Sequence, residues 1–547
     1  MTTPSPAVSI PPTVNKMEIA SYRCSTKEMA NRRDLLGAAG VFLAAAGLLW
    51  WLAGQRLVWI NDEGIYLDGA RRILAGQMPY RDFFVLTGPG TFWNVAVFFK
   101  LFGVSLASAR ALLIFDVALI AACLYWLAAE FSSRVLGLWL AWFFVALLAG
   151  DAGTLVVNHR WDSAALLVAA ITLLAAGLRS ESRWPIIAAG AAAAYGAWVT
   201  PPVLLVLAPM FAWTFFVRRW KGVVSLAAGV AAVSALAGGA LLATGSLGPM
   251  VQHFAWTASQ YSTANRFPYG GIIGGYPALF SDVHGLNLGI HAILVFFIAL
   301  PAVVPICALL GFSAARQLWK TPLLFILACA IAAVLACAPR MDVEHLRYSS
   351  PLSYVVASCA LASLLPRSLR APLAVALSFV ACIFLWSAVT LRTHLETAQT
   401  RDGFLVGEPK DLALERALEA SVQKDESLFV FPYIPIVYFL TQGANPTRYS
   451  FLQPGMMADA DEDQALASLR SAPPAKVFYA DVPEWAYLRL FPSSDPRRLR
   501  MHKIEKWLRE NYHRDPQFAQ RSPGYDLLIR RQPGSPLSPL SSQLVLW

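Results

Sequence analysis

The feature that most restricts this chain is the recurrence of long apolar runs from residue 35 onwards. A lipid bilayer offers the backbone no hydrogen-bond partners, so a spanning segment is a helix of roughly 20 apolar residues. About eleven such stretches can be read, near 35–54, 111–131, 135–150, 162–178, 185–199, 202–217, 222–244, 288–312, 321–338, 350–365 and 371–391. The runs at 185–199 and 202–217 are short and separated only by "VTPP", which reads as a helix break. Only 14% of the residues are charged, against about 25% in a water-soluble domain. The predicted class is an α-helical, polytopic membrane protein.

The net charge of +10 does not indicate a nucleic-acid partner, because of where the basic residues lie. Arg134, Arg179, Arg183, Arg218, Arg219, Lys221, Arg316, Lys320, Arg367 and Arg370 all fall in short connections on one side of the expected bundle, with Arg32 and Arg33. This is the positive-inside pattern, and it makes that side cytoplasmic. Six of the seven cysteines lie in apolar runs and Cys24 precedes them, so the last 150 or so residues hold neither a disulfide framework nor a C-x-x-C metal motif.

The expected organisation is a disordered cytoplasmic tail at 1–34, a transmembrane module at 35–391 and an external α/β domain at 392–547. In the last part charges return at regular intervals. "SLFVFPYIPIVYFL" (427–440) reads as a strand-like run broken by prolines, "EDQALASLRSA" (462–472) as a helix and "AKVFYADV" (475–482) as a strand. "RLRMHKIEKWLRENY" (498–512) reads as an amphipathic helix, and "GYDLLIRR" (524–531) could close a sheet. No internal repeat is visible.

Polar chemistry gathers at the external ends of the spans. "WINDEGIYLDGARRIL" places Asp62 and Glu63 where the chain leaves the bilayer. Asn61 with two acids after it also suits a helix start, followed by an interfacial helix with Ile65, Ile73 and Leu74 toward lipid and Asp68, Arg71 and Arg72 toward water. Tyr80, Arg81 and Asp82 follow as support for this first loop. Asp151 and Asp162, with His159 and Arg160, form a second acidic element that could orient an acceptor or bind a divalent cation. Either aspartate could face Asp62. "PRMDVEHLRYS" supplies Arg340, His345 and Arg347 as a possible phosphate clamp at headgroup level, with Arg266 and Tyr269 as further candidates. Asp116, the one acid well inside a span, suggests a structural ion pair.

The apolar span, the Asp-Glu pair, the interfacial helix, "AGQMPYRDFF", "GPG" and "FGVSLASAR" together resemble the first external loop of the glycosyltransferase C superfamily. The likeness is nearest to bacterial members grouped with protein O-mannosyltransferases and lipid A aminoarabinose transferases (glycosyltransferase family 39). "PRMDVEHL" and "FVFPYIPIVYFLTQGANPTRYSFLQPG" resemble later segments of these proteins. The resemblance implies a GT-C-like helical fold in the bacterial plasma (inner) membrane, with interfacial helices in the first loop and the C-terminal domain periplasmic. It also implies a polyprenyl-phosphate sugar donor and inverting transfer to a glycan, lipid or protein acceptor. Asp62 would be the catalytic base with Glu63 completing the pair, and Asp151 or Asp162 the second acid. No cofactor is certain, and a divalent cation is possible. The competing readings are a transporter or flippase of lipid-linked sugars, an O-antigen ligase type of enzyme and a non-enzymatic receptor.

Overall fold

The computed structural model describes residues 32–59, 62–150, 155–180, 182–267, 284–285, 287–289, 292, 322–401, 403–521 and 524–531. The expected tail, the run at 288–312, Asn61, Asp151 and Tyr269 lie largely or wholly outside them. The apolar runs form helices: α1 (Arg32–Ala53), α4 (Leu106–Phe131), α5 (Arg134–Ala149), α6 (His159–Arg179), α7 (Trp184–Val199), α8 (Leu207–Ala243), α10 (Leu323–Leu335), α11 (Val343–Leu364) and α12 (Arg367–Thr393). Two helices outside the expected spans, α2 (Glu63–Leu74) and α3 (Gly90–Phe102), lie in the first loop, and α9 (Leu247–Trp256) follows α8. Five of the described helices are long and apolar enough to cross a membrane.

Helix α4 is packed by α1, α5 and α6, which explains why most of its apolar residues are buried, leaving only a stripe that includes Phe115 open. Helices α1 and α12 lie at the rim, and their outward side chains, such as Leu43, Phe379 and Trp386, are exposed for lipid. The "VTPP" break is a 3-10 turn, Pro201–Val206, as prolines lacking an N–H would demand. The runs 202–217 and 222–244 join in α8, which bends sharply at Arg219, whose φ is 56°.

The C-terminal residues form a hairpin of β1 (Glu396–Thr400) and β2 (Gly403–Gly407) and a four-stranded sheet. The sheet contains β3 (Leu428–Phe431), β4 (Lys476–Tyr479), β5 (Tyr512–Arg514) and β6 (Asp526–Arg530), in the order β3-β4-β6-β5. Strands β3 and β4 are parallel and the other pairs antiparallel. The helices expected at 462–472 and 498–512 are present as α15 (Asp459–Ser471) and α17 (His502–Asn511), between them the shorter α16 (Glu484–Leu490). The run 427–440 corrects the sequence reading. Its first part is β3, but after Pro432 the chain turns and forms α14 (Ile436–Thr441), following the longer α13 (Pro409–Ser421).

This short helix fixes how the two parts meet. Two of the expected orientations of α2 are overturned: Ile65 and Asp68 are both buried, covered by α14 and its neighbours, whereas Leu74 is exposed as expected. A Cβ on Gly64 would lie 2.0 Å from the Ile436 backbone nitrogen, so only glycine allows this approach. Arg71 donates to the Gly443 carbonyl (2.7 Å), Ser450 to Asp68 (2.8 Å) and Arg448 to the Tyr80 carbonyl (2.6 Å). The C-terminal unit therefore forms a roof over the first loop.

Candidate active site

Asp62 stands at the N-cap position of α2, yet its side chain makes no capping bond and is exposed. It accepts a hydrogen bond from the hydroxyl of Tyr433, which hangs from the turn between β3 and α14 with its ring edge against Phe451. Burial keeps the Tyr433 phenol well above its ordinary pKa, and the Asp62 charge adds to this, so Tyr433 is the donor. One turn along α2, the buried Tyr66 hydroxyl lies 2.6 Å from His159 Nδ1. Burial, then Asp62, also raises the Tyr66 phenol.

Three tyrosines lie within electrostatic reach of this acid, and one of them, Tyr433, touches it. Tyr66, Tyr261 and Tyr433 all feel the charge of Asp62, while Tyr66 and Tyr261 also feel Arg160. Arg340 acts on Tyr261 and on His345. Arg340 is ion-paired with Asp342 and donates to the Asn265 side chain (2.9 Å). Asp342 caps α11 through the His345 backbone N–H (2.9 Å) and meets the His345 ring at 2.5 Å. Burial would raise the Asp342 carboxyl, but the His345 hydrogen bonds and the Arg340 charge outweigh it and hold it well below the carboxylate range. Burial, with Arg160, pushes His345 down to about 4, so its ring is neutral near pH 7.

Glu63 points away from Asp62. Its carboxylate meets Arg110 of α4 at 2.7 and 2.8 Å and accepts from the Val157 N–H at 2.9 Å, and neither charged side chain is exposed. Burial raises the Glu63 carboxyl, opposed by Arg110 and then by the Val157 hydrogen bond. Arg110 also donates to the Arg56 carbonyl (3.0 Å). This pair pins the start of α2 to α4 and to the segment leading into α6.

Asp162 is not brought to Asp62. In the first turn of α6 it accepts from Thr91 (2.8 Å) and Asn94 (2.9 Å) and hydrogen-bonds with Asp116. Asp116 thus has a second acid as partner where the sequence suggested a cation. Arg347 is buried within the bundle, where its charge reaches Tyr354, and Arg266 is exposed with its carbonyl accepting from Ser493. Tyr80 is buried and donates to the Thr87 carbonyl at 2.5 Å, and Arg81 pairs with Asp82 at 2.8 Å. Among the described residues no three His, Cys, Asp or Glu side chains converge as metal ligands.

Sequence reasoning did not single out Tyr66, Tyr261, Tyr433 or Arg110. Tyr433 lies 371 positions from Asp62, and no local pattern joins them. Arg110, separated from Glu63 by only 47 positions, carries a usable signal. It is an arginine at the head of an apolar run, and such a residue, where packing buries it, needs a partner.

No protein-family model matches the chain, and no curated protein gives a significant match. Among solved structures, the chain is similar to the crystal structure of ArnT from Cupriavidus metallidurans bound to undecaprenyl phosphate. The TM-score is 0.41 at 14% identity, covering 90% of this chain and 97% of that one. It is similar also to the crystal structure of that ArnT in the apo state, with a TM-score of 0.39 at 14% identity, covering 90% and 98%.

Proposed function

We propose that this chain is a membrane glycosyltransferase that moves a sugar from a polyprenyl-phosphate donor to an acceptor hydroxyl, with inversion and with Asp62 as general base. The observation that carries the reading is a solvent-facing carboxylate, not spent on capping, at the head of α2, with three tyrosines in its electrostatic reach, two of which also feel Arg160. The acceptor O–H would donate to Asp62 while its oxygen attacks the anomeric carbon from the face opposite the phosphate. The bond from that carbon to the phosphate oxygen breaks, and the lipid phosphate leaves with the electron pair. The proton then passes from Asp62 to water. A leaving phosphate needs positive charge and donors more than an acid, which Arg340 is placed to supply, while His345, neutral and with its one ring proton given to Asp342, holds that carboxylate in place. Glu63 serves as a positioning residue, since through Arg110 it fixes the helix that presents Asp62.

The site would lie on the periplasmic side of the bacterial plasma membrane, where a headgroup held by its tail meets an acceptor arriving from water. The test is sugar transfer by the full chain in lipid nanodiscs, using a panel of polyprenyl-phosphate sugars. Asp62→Asn is expected to lower turnover by about a hundredfold or more, the usual contribution of a general base, with its melting temperature retained. Equal turnover in the two proteins would refute the assignment. The Asp116–Asp162 contact favours a second reading, transport of lipid-linked sugars, because paired acids inside a span often mark translocation paths. Movement of donor across sealed vesicles without release of polyprenyl phosphate would select it.

A further inference from the structure

Asp62 is exposed at the head of α2, and an aspartate there samples a broad range of carboxylate orientations unless something holds it. Among the described residues the Tyr433 hydroxyl is the one hydrogen-bond partner of its side chain, and it donates to Oδ1 alone. Oδ2 is left open. Among the same residues no ion pair engages the carboxylate, so Tyr433 alone decides how it is turned.

The tyrosine itself has little freedom. The turn that carries it runs from Phe431, the last residue of β3, to Ile436, the first of α14. Both ends are buried, and the Ile436 backbone lies against Gly64, two residues from Asp62. Within the turn the Pro432 carbonyl accepts from the Leu452 N–H at 2.9 Å, and Ile434 is buried. The Tyr433 ring meets Phe451 edge-on at 5.5 Å, and Phe451 packs in turn against Phe84 of the first loop at 5.8 Å. A donor whose own rotamer is locked by packing can hold its partner in one orientation. The phenol also stays protonated, since burial and then the Asp62 charge push it well above its ordinary value. It can donate to the acid and cannot replace it as the base.

We propose that Tyr433 is a positioning residue for the base: by occupying Oδ1 it turns Asp62 so that Oδ2 faces the acceptor hydroxyl and takes its proton. The C-terminal unit thereby takes part in the transfer step through one hydrogen bond, acting through Asp62. The inference deepens the transferase reading and rests on Asp62 as its base. In the step the acceptor O–H bond breaks and its proton goes to Oδ2. Its electron pair forms the bond to the anomeric carbon, the electrons of the sugar–phosphate bond leave with the lipid phosphate, and Tyr433 keeps its own proton. Among the described residues the titratable groups that sense Asp62 are Tyr433, Tyr66 of α2 and Tyr261, in the turn Thr257–Tyr261 after α9. Only Tyr433 donates to it, so the other two act equally on wild type and on Tyr433 variants.

The experiment follows release of polyprenyl phosphate by the full chain in nanodiscs as a function of pH, with the panel of polyprenyl-phosphate sugars named above. It compares wild type, Tyr433→Phe, Asp62→Asn, the double variant and Tyr438→Phe. Tyr433→Phe keeps the ring against Phe451 and loses only the donor. Its kcat is expected to fall about five- to thirtyfold, the worth of a hydrogen bond to a charged group, with the donor KM unchanged. The acid limb of its pH profile should move up by about 0.5–1 unit, because a carboxylate that loses a donor holds its proton more tightly. In the Asp62→Asn background the same change should lower kcat no further. Tyr438→Phe removes a buried hydroxyl that accepts from the Val430 N–H at 2.9 Å, and is expected to lower the melting temperature while leaving the acid limb in place. An acid limb that moves equally in Tyr438→Phe makes the shift a general effect of loosening and overturns the specific role. Wild-type turnover and pH profile in Tyr433→Phe overturn the positioning role and leave the transferase reading standing. A further loss in the double variant overturns action through Asp62. Wild-type turnover in Asp62→Asn, or release from no donor, overturns the transferase reading and this inference together.

Discussion

Replacing Arg110 by methionine takes away the cation paired with Glu63 in a site with no exposure, while the Val157 N–H still donates to the carboxylate. Losing one member of a buried ion pair typically costs about 3–5 kcal/mol. The carboxylate can limit that cost by taking up a proton. At pH 7 this requires protonating a group whose ordinary pKa is about 4.3, or about 3.7 kcal/mol at 1.36 kcal/mol per unit. The expected destabilisation is therefore about 3–4 kcal/mol at pH 7. The sign with pH follows from proton binding: folded Arg110→Met holds a proton that its unfolded chain has released. Its deficit relative to wild type should shrink by about 1.4 kcal/mol per unit as pH falls toward 5. Denaturant unfolding in detergent at pH 7.5, 6.5 and 5.5 measures both quantities. Adding Glu63→Gln to Arg110→Met removes the stranded charge while still accepting from Val157, and should recover much of the loss. If Glu63 positions and does not react, this double variant retains transfer within about tenfold, well inside the hundredfold or more expected of a lost base. A cost below about 1 kcal/mol with no pH dependence would refute the buried-pair argument, and loss of turnover in a stable double variant would refute the positioning role.

Gly64→Ala should destabilise the protein by about 1–3 kcal/mol, although alanine is ordinarily the better helix former by about 1 kcal/mol. The reason is the collision with the Ile436 backbone, and Gly47→Ala in α1, where nothing lies within 4 Å, is the matched control in a melting assay. His345 supplies a prediction in pH. Its folded value of about 4 lies below the ordinary value of about 6.5, so the unfolded chain takes up the proton first as pH falls. Its contribution is complete above about pH 6.5 and is lost progressively down to pH 4, by at most about 3 kcal/mol. His345→Gln should flatten this part of the stability curve, and an unchanged slope would refute the assignment.

The roof over α2 gives the C-terminal unit a part in the site itself. Tyr433 touches Asp62, and Ser450, Arg448 and Gly443 hold the first loop from above. If Asp62 is the base proposed above, the Tyr433 hydroxyl stands beside the oxygen it would use, so changes in the 431–436 turn should affect the acceptor before the donor.

What could be read from sequence follows the reach of each signal. Hydrophobicity is a local property, and the spans at 111–131, 135–150, 162–178, 185–199 and 371–391 reappear as helices because no water is present to satisfy any other backbone. The Asp62–Glu63 pair could be located in the same way, as charge at the end of an apolar run. The division of labour within the pair could not. Adjacent helical residues point about 100° apart, and only packing decides that one meets Arg110 and the other Tyr433. The run 427–440 reads as a strand because short apolar segments carry no distinguishing period; its second half becomes a helix when seated on Gly64. Asp162 and Arg160, two residues apart, likewise separate in space, one into a buried acid pair and the other over a cleft. By itself the sequence determined a helical membrane protein with its polar chemistry at one end. Only the tertiary structure decided which of those polar groups meet, because their partners are distant along the chain and are chosen by packing.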